Sequence, residues 1–215
     1  MLNRSRDVGD EAAAMARPAD LPVRLIVEDY LRVFQRLLGG LDLDALARVV
    51  ERLRAARDRG ATIYIAGNGG SAATATHLVN DLGKATKRSG RRPMRVMCLS
   101  DNVSWLTALA NDEGYERVFT GQLENFARAG DVLIVISASG NSPNLVDAVG
   151  HARSHGLTTI GIVGFDGGRL KGMVDECLWL ESEVGAYGPV ESGHVVLCDL
   201  LTTCLIADRP APPPA

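Results

Sequence analysis

The sequence predicts an α/β fold: a doubly wound five-stranded parallel sheet with helices on both faces, preceded by an N-terminal helical pair. Three observations point there. After Gly60, short β-rich apolar runs alternate with helical segments. Most of those runs are apolar throughout, as expected of strands covered on both faces. Two of them pass directly into glycine- and serine-rich turns that open helices, and such turns gather at the carboxyl edge of this kind of sheet.

The first helix begins at Pro22 and runs to Leu38, with Asp20 as its cap, Pro22 in its first turn and Gly39-Gly40 at its end. Its apolar residues form two adjacent stripes, Ile26, Tyr30, Val33, Leu37 and Val27, Leu31, Phe34, Leu38. A helix apolar over so much of its girth must bury more than one side, either within its own core or against another subunit. Asp42 caps a second helix that runs to about Arg59. Strands are predicted over 62–66, 95–99, 132–136, 158–163 and 176–180, and helices over 71–82, 103–111, 115–127, 142–155 and 189–206.

The chain has 215 residues, enough for a full core in one domain, expected over 21–207 between a flexible segment at 1–20 and a proline-rich, disordered tail at 208–215. A formal net charge of −3 gives no broad basic surface, so no nucleic-acid partner is expected. The basic run Lys84, Lys87, Arg88, Arg91, Arg92, Arg95 reads as a solvated connection. Cys98, Cys177, Cys198 and Cys204 lie in apolar segments without CxxC spacing, the pattern of buried thiols in a reducing, cytoplasmic compartment. No apolar run approaches the ~18 residues of a membrane span, and Met1 to Asp20 lacks a signal-peptide core, so no membrane association is expected.

Function is written most clearly in the two turns. Gly67-Asn68-Gly69-Gly70-Ser71 follows the run Ile63-Tyr64-Ile65-Ala66 and opens a helix, and Ser137-Ala138-Ser139-Gly140-Asn141-Ser142 follows Val132-Leu133-Ile134-Val135-Ile136. Backbone N–H groups and the positive end of a helix dipole favour an anion at such places. The first loop also satisfies the dinucleotide pattern Gly67-x-Gly69-x-x-Ala72, with Asp101 placed to hold a ribose. Three hydroxyls in the second loop, Ser137, Ser139 and Ser142, favour a terminal phosphate monoester instead. No lysine follows as in a Walker loop, so nucleotide hydrolysis is not expected.

Titratable groups lie on the helices near these loops. His77 and Asp81, four apart, share a face and can chelate a metal, pair a base with its orienting group, or form a plain surface pair. On the last helix Glu191 and His194 are three apart, and Asp199 stands in an apolar stretch where a carboxylate is costly unless paired or ligating. His151 and His155 precede Gly156 at a helix end, where a histidine complements the dipole.

With GNGGSAATATHLVNDL, the LSDN at 99–102, ISASGNSPNLVDAV and GFDGGRLKG in this order, the chain resembles the sugar isomerase (SIS) family, and within it the phosphoheptose isomerase group. The resemblance covers about 25–206. It implies a five-stranded parallel sheet, a homotetramer or homodimer assembled through terminal helices, and a sugar phosphate held by the loop of Ser137, Ala138, Ser139, Asn141 and Ser142. Asn68, Gly69, Gly70, Ser71 and Asp101 would stand nearby. It also implies a divalent metal, zinc in the family, on His77, Asp81, Glu191 and Asp199.

The family has glutamate, glutamine and histidine at the last three of those positions, its glutamate acting as base and its second histidine as acid. Here Asp81 would be the base and Asp199 would occupy the acid position. Three carboxylates beside one histidine would repel one another without a cation, and they suit an ion harder than zinc. Because eight residues span ~12 Å of helix, Glu191 and Asp199 converge only if their side chains lean together, and His194 is the substitute if they do not. The implied reaction interconverts a ketose phosphate, such as sedoheptulose 7-phosphate or a longer homologue, and the aldose phosphate through an enediol. The alternative is a non-catalytic module that binds a sugar phosphate or a protein partner, like family members that associate with the replication initiator.

Overall fold

The computed structural model describes residues 22–87 and 91–207. The segment 1–20, the Asp20 cap, Arg88 and the tail 208–215 lie outside the described residues.

Two helices, α1 (Val23–Gly39) and α2 (Leu43–Arg59), precede β1 (Thr62–Gly67). There follow α3 (Gly70–Asn80) with a π-helical turn over Asp81–Ala85, β2 (Arg95–Cys98) and α4 (Val103–Asp112). Next come a 3-10 turn over Tyr115–Arg117, α5 (Thr120–Phe126), β3 (Val132–Ser137) and α6 (Pro143–Ser154). The chain continues through β4 (Thr158–Val163), α7 (Gly168–Lys171), β5 (Glu176–Trp179) and α8 (Tyr187–Ala207). The five strands pair in parallel in the order β2-β1-β3-β4-β5.

The inner strands β1, β3 and β4 serve two cores, which is why their runs are apolar without alternation. Ile63, Ile65, Ile134 and Ile136 face a cluster with Leu53 of α2, Leu78 of α3 and Leu201 of α8. Their sequence neighbours Tyr64, Ala66, Leu133 and Val135 face the opposite cluster, with Leu123 of α5 and Leu145 of α6.

All five strands fall within a residue of the predicted ranges, and Asp42 caps α2 by accepting from the Ala45 N–H at 2.9 Å. Four expectations change. Helix α1 is not sunk in its own core: Leu37 is its one buried residue, whereas Val23, Leu25, Ile26, Val27 and Leu31 are exposed. Its contact with the body is along α8, where the Tyr30 and Ser192 hydroxyls are hydrogen bonded at 2.8 Å. The helix predicted over 115–127 breaks in two because Val118 and Phe119 turn fully into the core. The short α7 was not foreseen. Finally, α8 is long and apolar enough, by length and composition, to cross a membrane. The chain uses it as a core helix, with Val190, Leu197, Cys198, Leu201 and Leu205 buried against the sheet.

Candidate active site

The chain leaves β1 toward β2 on one side and leaves β3 toward β4 on the other, so β1 and β3 flank the point where strand order reverses. Ligand crevices form beyond the carboxyl ends of such strands. Both predicted loops lie there.

In the first loop, a Cβ built at Gly67 would stand 2.5 Å from the Ser71 carbonyl oxygen, so only glycine lets α3 start so close to its strand. Gly69 takes φ 53° and ψ −121°, a conformation that L side chains avoid. The N–H groups of Ser71, Ala72 and Ala73 donate back to the Asn68 and Gly69 carbonyls. This loop therefore closes on itself and serves chiefly to launch α3. The segment after β2 braces it: the Ser100 hydroxyl donates to the Gly67 carbonyl at 2.8 Å, and Asp101 accepts from the Thr76 hydroxyl at 2.6 Å.

The second loop is built in a different way. Ser142 holds the N-cap position of α6, yet its hydroxyl makes no capping bond. It stands at the positive end of a 12-residue helix, where an anion is favoured. Ser137, buried, spends its oxygen on the Gly140 N–H at 3.1 Å, and Ser139 accepts from the Asn141 N–H at 3.3 Å. These two hydroxyls shape the loop. Behind it lies the GFDGG segment: a Cβ at Gly140 would come within 2.1 Å of the Gly167 carbonyl oxygen, and the Leu170 N–H donates to the Gly140 carbonyl at 3.0 Å.

The two loops are tied by residues the sequence reading passed over. Asn144, buried on α6, exchanges two amide hydrogen bonds of 2.9 Å with Asn68, and the Tyr115 hydroxyl donates to Asn68 Oδ1 at 3.1 Å. Asn68, Tyr115, Glu116, Ser142, Pro143 and Asn144 line a cleft of about 550 Å³. The N in SPN was the available signal for Asn144; nothing in the local pattern marked Tyr115.

Along α3 the structure assembles an acidic cluster. His77 Nε2 lies 3.1 Å from Asp81 Oδ2 and 3.3 Å from Asp199 Oδ1, and one donor atom from each of the three falls within 4.8 Å of the others. Asp81 is the first residue of the π turn, a feature that recurs at functional sites. Two carboxylates converging on one imidazole fit a divalent cation, which would relieve their repulsion.

The other two predicted members stand apart. Glu191 is outside that cluster; a Cβ at Gly70 would stand 2.7 Å from its Oε2, so its carboxylate rests against the start of α3. His194, offered as a substitute, is 1% exposed and neither ring nitrogen has a hydrogen-bond partner among the described residues. Burial pushes its pKa down to about 4, against an opposing contribution from the Val163 backbone. That ring belongs to the core under α8 and not to the acidic cluster.

A sheet of this order, with glycine- and serine-rich loops at the switch point and a His-carboxylate cluster shared by α3 and α8, has a defined class. The model of the SIS domain matches residues 29–164, and the chain belongs to that family, in its phosphoheptose isomerase group. It is 39% identical over 179 residues to a phosphoheptose isomerase of Trichlorobacter lovleyi, covering 81% of this chain and 89% of the relative. It is 34% identical over 181 residues to a probable phosphoheptose isomerase of Thermoplasma acidophilum, covering 84% and 96%. The solved phosphoheptose isomerase of Neisseria gonorrhoeae superposes with a TM-score of 0.76 at 29% identity, covering 85% of this chain and 96% of that one. The chain thus stands in a family group of isomerases.

Proposed function

We propose that this protein interconverts a ketose phosphate, a seven-carbon one such as sedoheptulose 7-phosphate, and the corresponding aldose phosphate. One observation supports this above the rest: the serine loop faces the loop that launches α3, and α3 carries His77 and Asp81. Phosphate binding and carbonyl chemistry are thereby joined by a single rigid helix.

In this reading the phosphate sits at the N-terminus of α6, held by the Ser142 hydroxyl and by a loop that Ser137, Ser139 and Asn141 keep in shape. Asn68 and Asp101, both oriented by neighbouring side chains, face the sugar. Anchoring the far phosphate fixes which carbons reach the acidic cluster. His77, Asp81 and Asp199 would hold the divalent ion, and zinc or a harder ion such as manganese suits one nitrogen and two oxygen donors. When bound, that ion polarises the substrate carbonyl. The proton removed from C1 returns to C2, and the hydroxyl proton passes from O1 to O2, so the reaction needs no further reactant.

The cytoplasm is the compartment that suits four free thiols. A homotetramer or homodimer would cover the exposed apolar stripe of α1. The test is direct: protein with and without added zinc or manganese is mixed with sedoheptulose 7-phosphate and the products are followed by NMR. Metal-dependent appearance of the aldose phosphate is expected. Tight binding without turnover would show a binding module instead.

A further inference from the structure

The turn between α4 and α5 brings a tyrosine to the cleft and pins it there. Gly114 takes φ +104°, which lets the chain reverse as α4 ends, and the Glu113 and Gly114 N–H groups both donate to the Leu109 carbonyl. Further on, Val118 and Phe119 are fully buried, and Arg117 pairs with Glu124 of α5 at 2.7 Å and with Asp147 of α6 at 3.7 Å. Tyr115 stands between these anchors, 53% exposed, with its hydroxyl 3.1 Å from Asn68 Oδ1.

The hydrogen bonds around Asn68 can run in only one sense. The Leu145 N–H can only donate, and it lies 3.0 Å from Asn144 Oδ1, so the orientation of the Asn144 amide is settled by the backbone. The two bonds of 2.9 Å between the asparagines then set Asn68 Oδ1 opposite Asn144 Nδ2, and Asn68 Nδ2 opposite Asn144 Oδ1. Each amide oxygen has a second lone pair. The Leu145 N–H meets the one on Asn144, and the Tyr115 O–H meets the one on Asn68. What is left over is one N–H on each asparagine, without a partner among the described residues. Both asparagines line the same cleft as Ser142 and Tyr115. The pair therefore offers that cleft donors and no acceptor, the polarity an anion requires.

We infer that Tyr115 is a positioning residue that acts through Asn68: its hydroxyl covers the one acceptor lone pair that the asparagine pair would otherwise turn to the cleft, and so keeps that wall a donor surface for the substrate phosphate. The inference rests on the isomerase reading for the cleft as the place of the phosphate. Tyr115 does not itself donate to the phosphate in this arrangement, because a hydroxyl has one hydrogen and this one is spent on Asn68. Without that hydroxyl a phosphate oxygen meets an amide oxygen, and the two acceptors repel. The His77 cluster is untouched, so the effect falls on binding and not on the carbonyl chemistry.

The test is a double-variant cycle on the full chain: parent, Tyr115→Phe, Asn68→Ala and the two together, with sedoheptulose 7-phosphate and inorganic phosphate titrated separately by calorimetry. Tyr115→Phe should weaken both ligands by the same factor, roughly threefold to tenfold, the worth of one hydrogen bond. In the Asn68→Ala background the same substitution should change neither affinity by more than about twofold. KM for the ketose phosphate should rise in Tyr115→Phe by the factor lost in affinity, with kcat nearly unchanged. Equal losses in both backgrounds would overturn the inference, because Tyr115 would then touch the ligand itself or merely support its turn. Unchanged affinities in Tyr115→Phe would overturn it as well, and so would a loss confined to the sugar phosphate, which would place the hydroxyl against the sugar. Parent protein that binds both ligands and turns over neither would end the isomerase reading and leave the positioning role to stand or fall on the cycle. Parent protein that binds neither ligand would end both.

Discussion

Asn68 and Asn144 hold each other by two amide hydrogen bonds of 2.9 Å, one in each direction, across the point where the sheet reverses its order. The pair fixes the β1 loop to the helix that follows the serine loop. Asn144→Ala would leave part of the Asn68 amide unpaired beside a buried helix start, at a stability cost of about 1–3 kcal/mol. Urea denaturation should report that loss. In kinetics KM for the ketose phosphate should rise more than kcat falls, because the change misplaces the cleft wall and leaves the His77 cluster untouched.

Backbone packing behind the serine loop sets a second expectation. Gly140 has φ +64°, and its Cβ position lies 2.1 Å from the Gly167 carbonyl oxygen, a backbone atom that cannot swing away. Gly140→Ala combines left-handed strain with that clash and should cost on the order of 2 kcal/mol or more. Phosphate affinity measured by calorimetry should fall with it, since the loop must shift to admit the methyl. Gly150→Ala on α6, where a Cβ meets nothing within 4 Å, is the matched control and should be neutral or slightly stabilising.

The contrast between those two glycines shows where sequence reasoning succeeds and where it stops. Strand runs such as 132–136 were legible because burial on both faces leaves an unbroken apolar signature. The two loops were legible because glycine and serine at a strand-to-helix turn have few other uses. The interruption of α3 by a π turn at Asp81, the dispersal of Glu191 from the cluster and the burial of His194 were not. Each depends on how α8 lies against α3, and a pair of helices sharing a sequence pattern can be docked at many offsets. Asn144 and Tyr115 escaped because their importance is a cross-loop contact, which no local spacing encodes.

Metal binding should be readable without any substrate. If His77, Asp81 and Asp199 take one divalent ion, manganese at about a hundredfold over its dissociation constant stabilises the fold by ~2.7 kcal/mol, a melting shift on the order of 5–10 °C. Chelator should reverse the shift. His77→Ala removes the one nitrogen donor and should abolish the shift while leaving the metal-free melting temperature nearly unchanged, because the imidazole is 45% exposed. An equal shift in His77→Ala would place the ion elsewhere.

Acid stability should be governed in part by His194. Its ordinary pKa of 6.5 is pushed down to about 4 by burial, so the folded chain keeps the ring neutral where the unfolded chain protonates it. The unfolded state then binds the extra proton between those two values, and stability falls as pH drops from 6.5 toward 4. The full loss is on the order of 3 kcal/mol, reached once both states are protonated. His194→Leu replaces a ring whose two nitrogens have no hydrogen-bond partner among the described residues with an apolar side chain in a 1% exposed site, so at neutral pH it should be close to neutral or stabilising. Denaturant midpoints taken from pH 7.5 to pH 4.5 should fall less steeply in His194→Leu than in the parent. Equal slopes would mean that the acid sensitivity comes from the carboxylates and not from this buried imidazole.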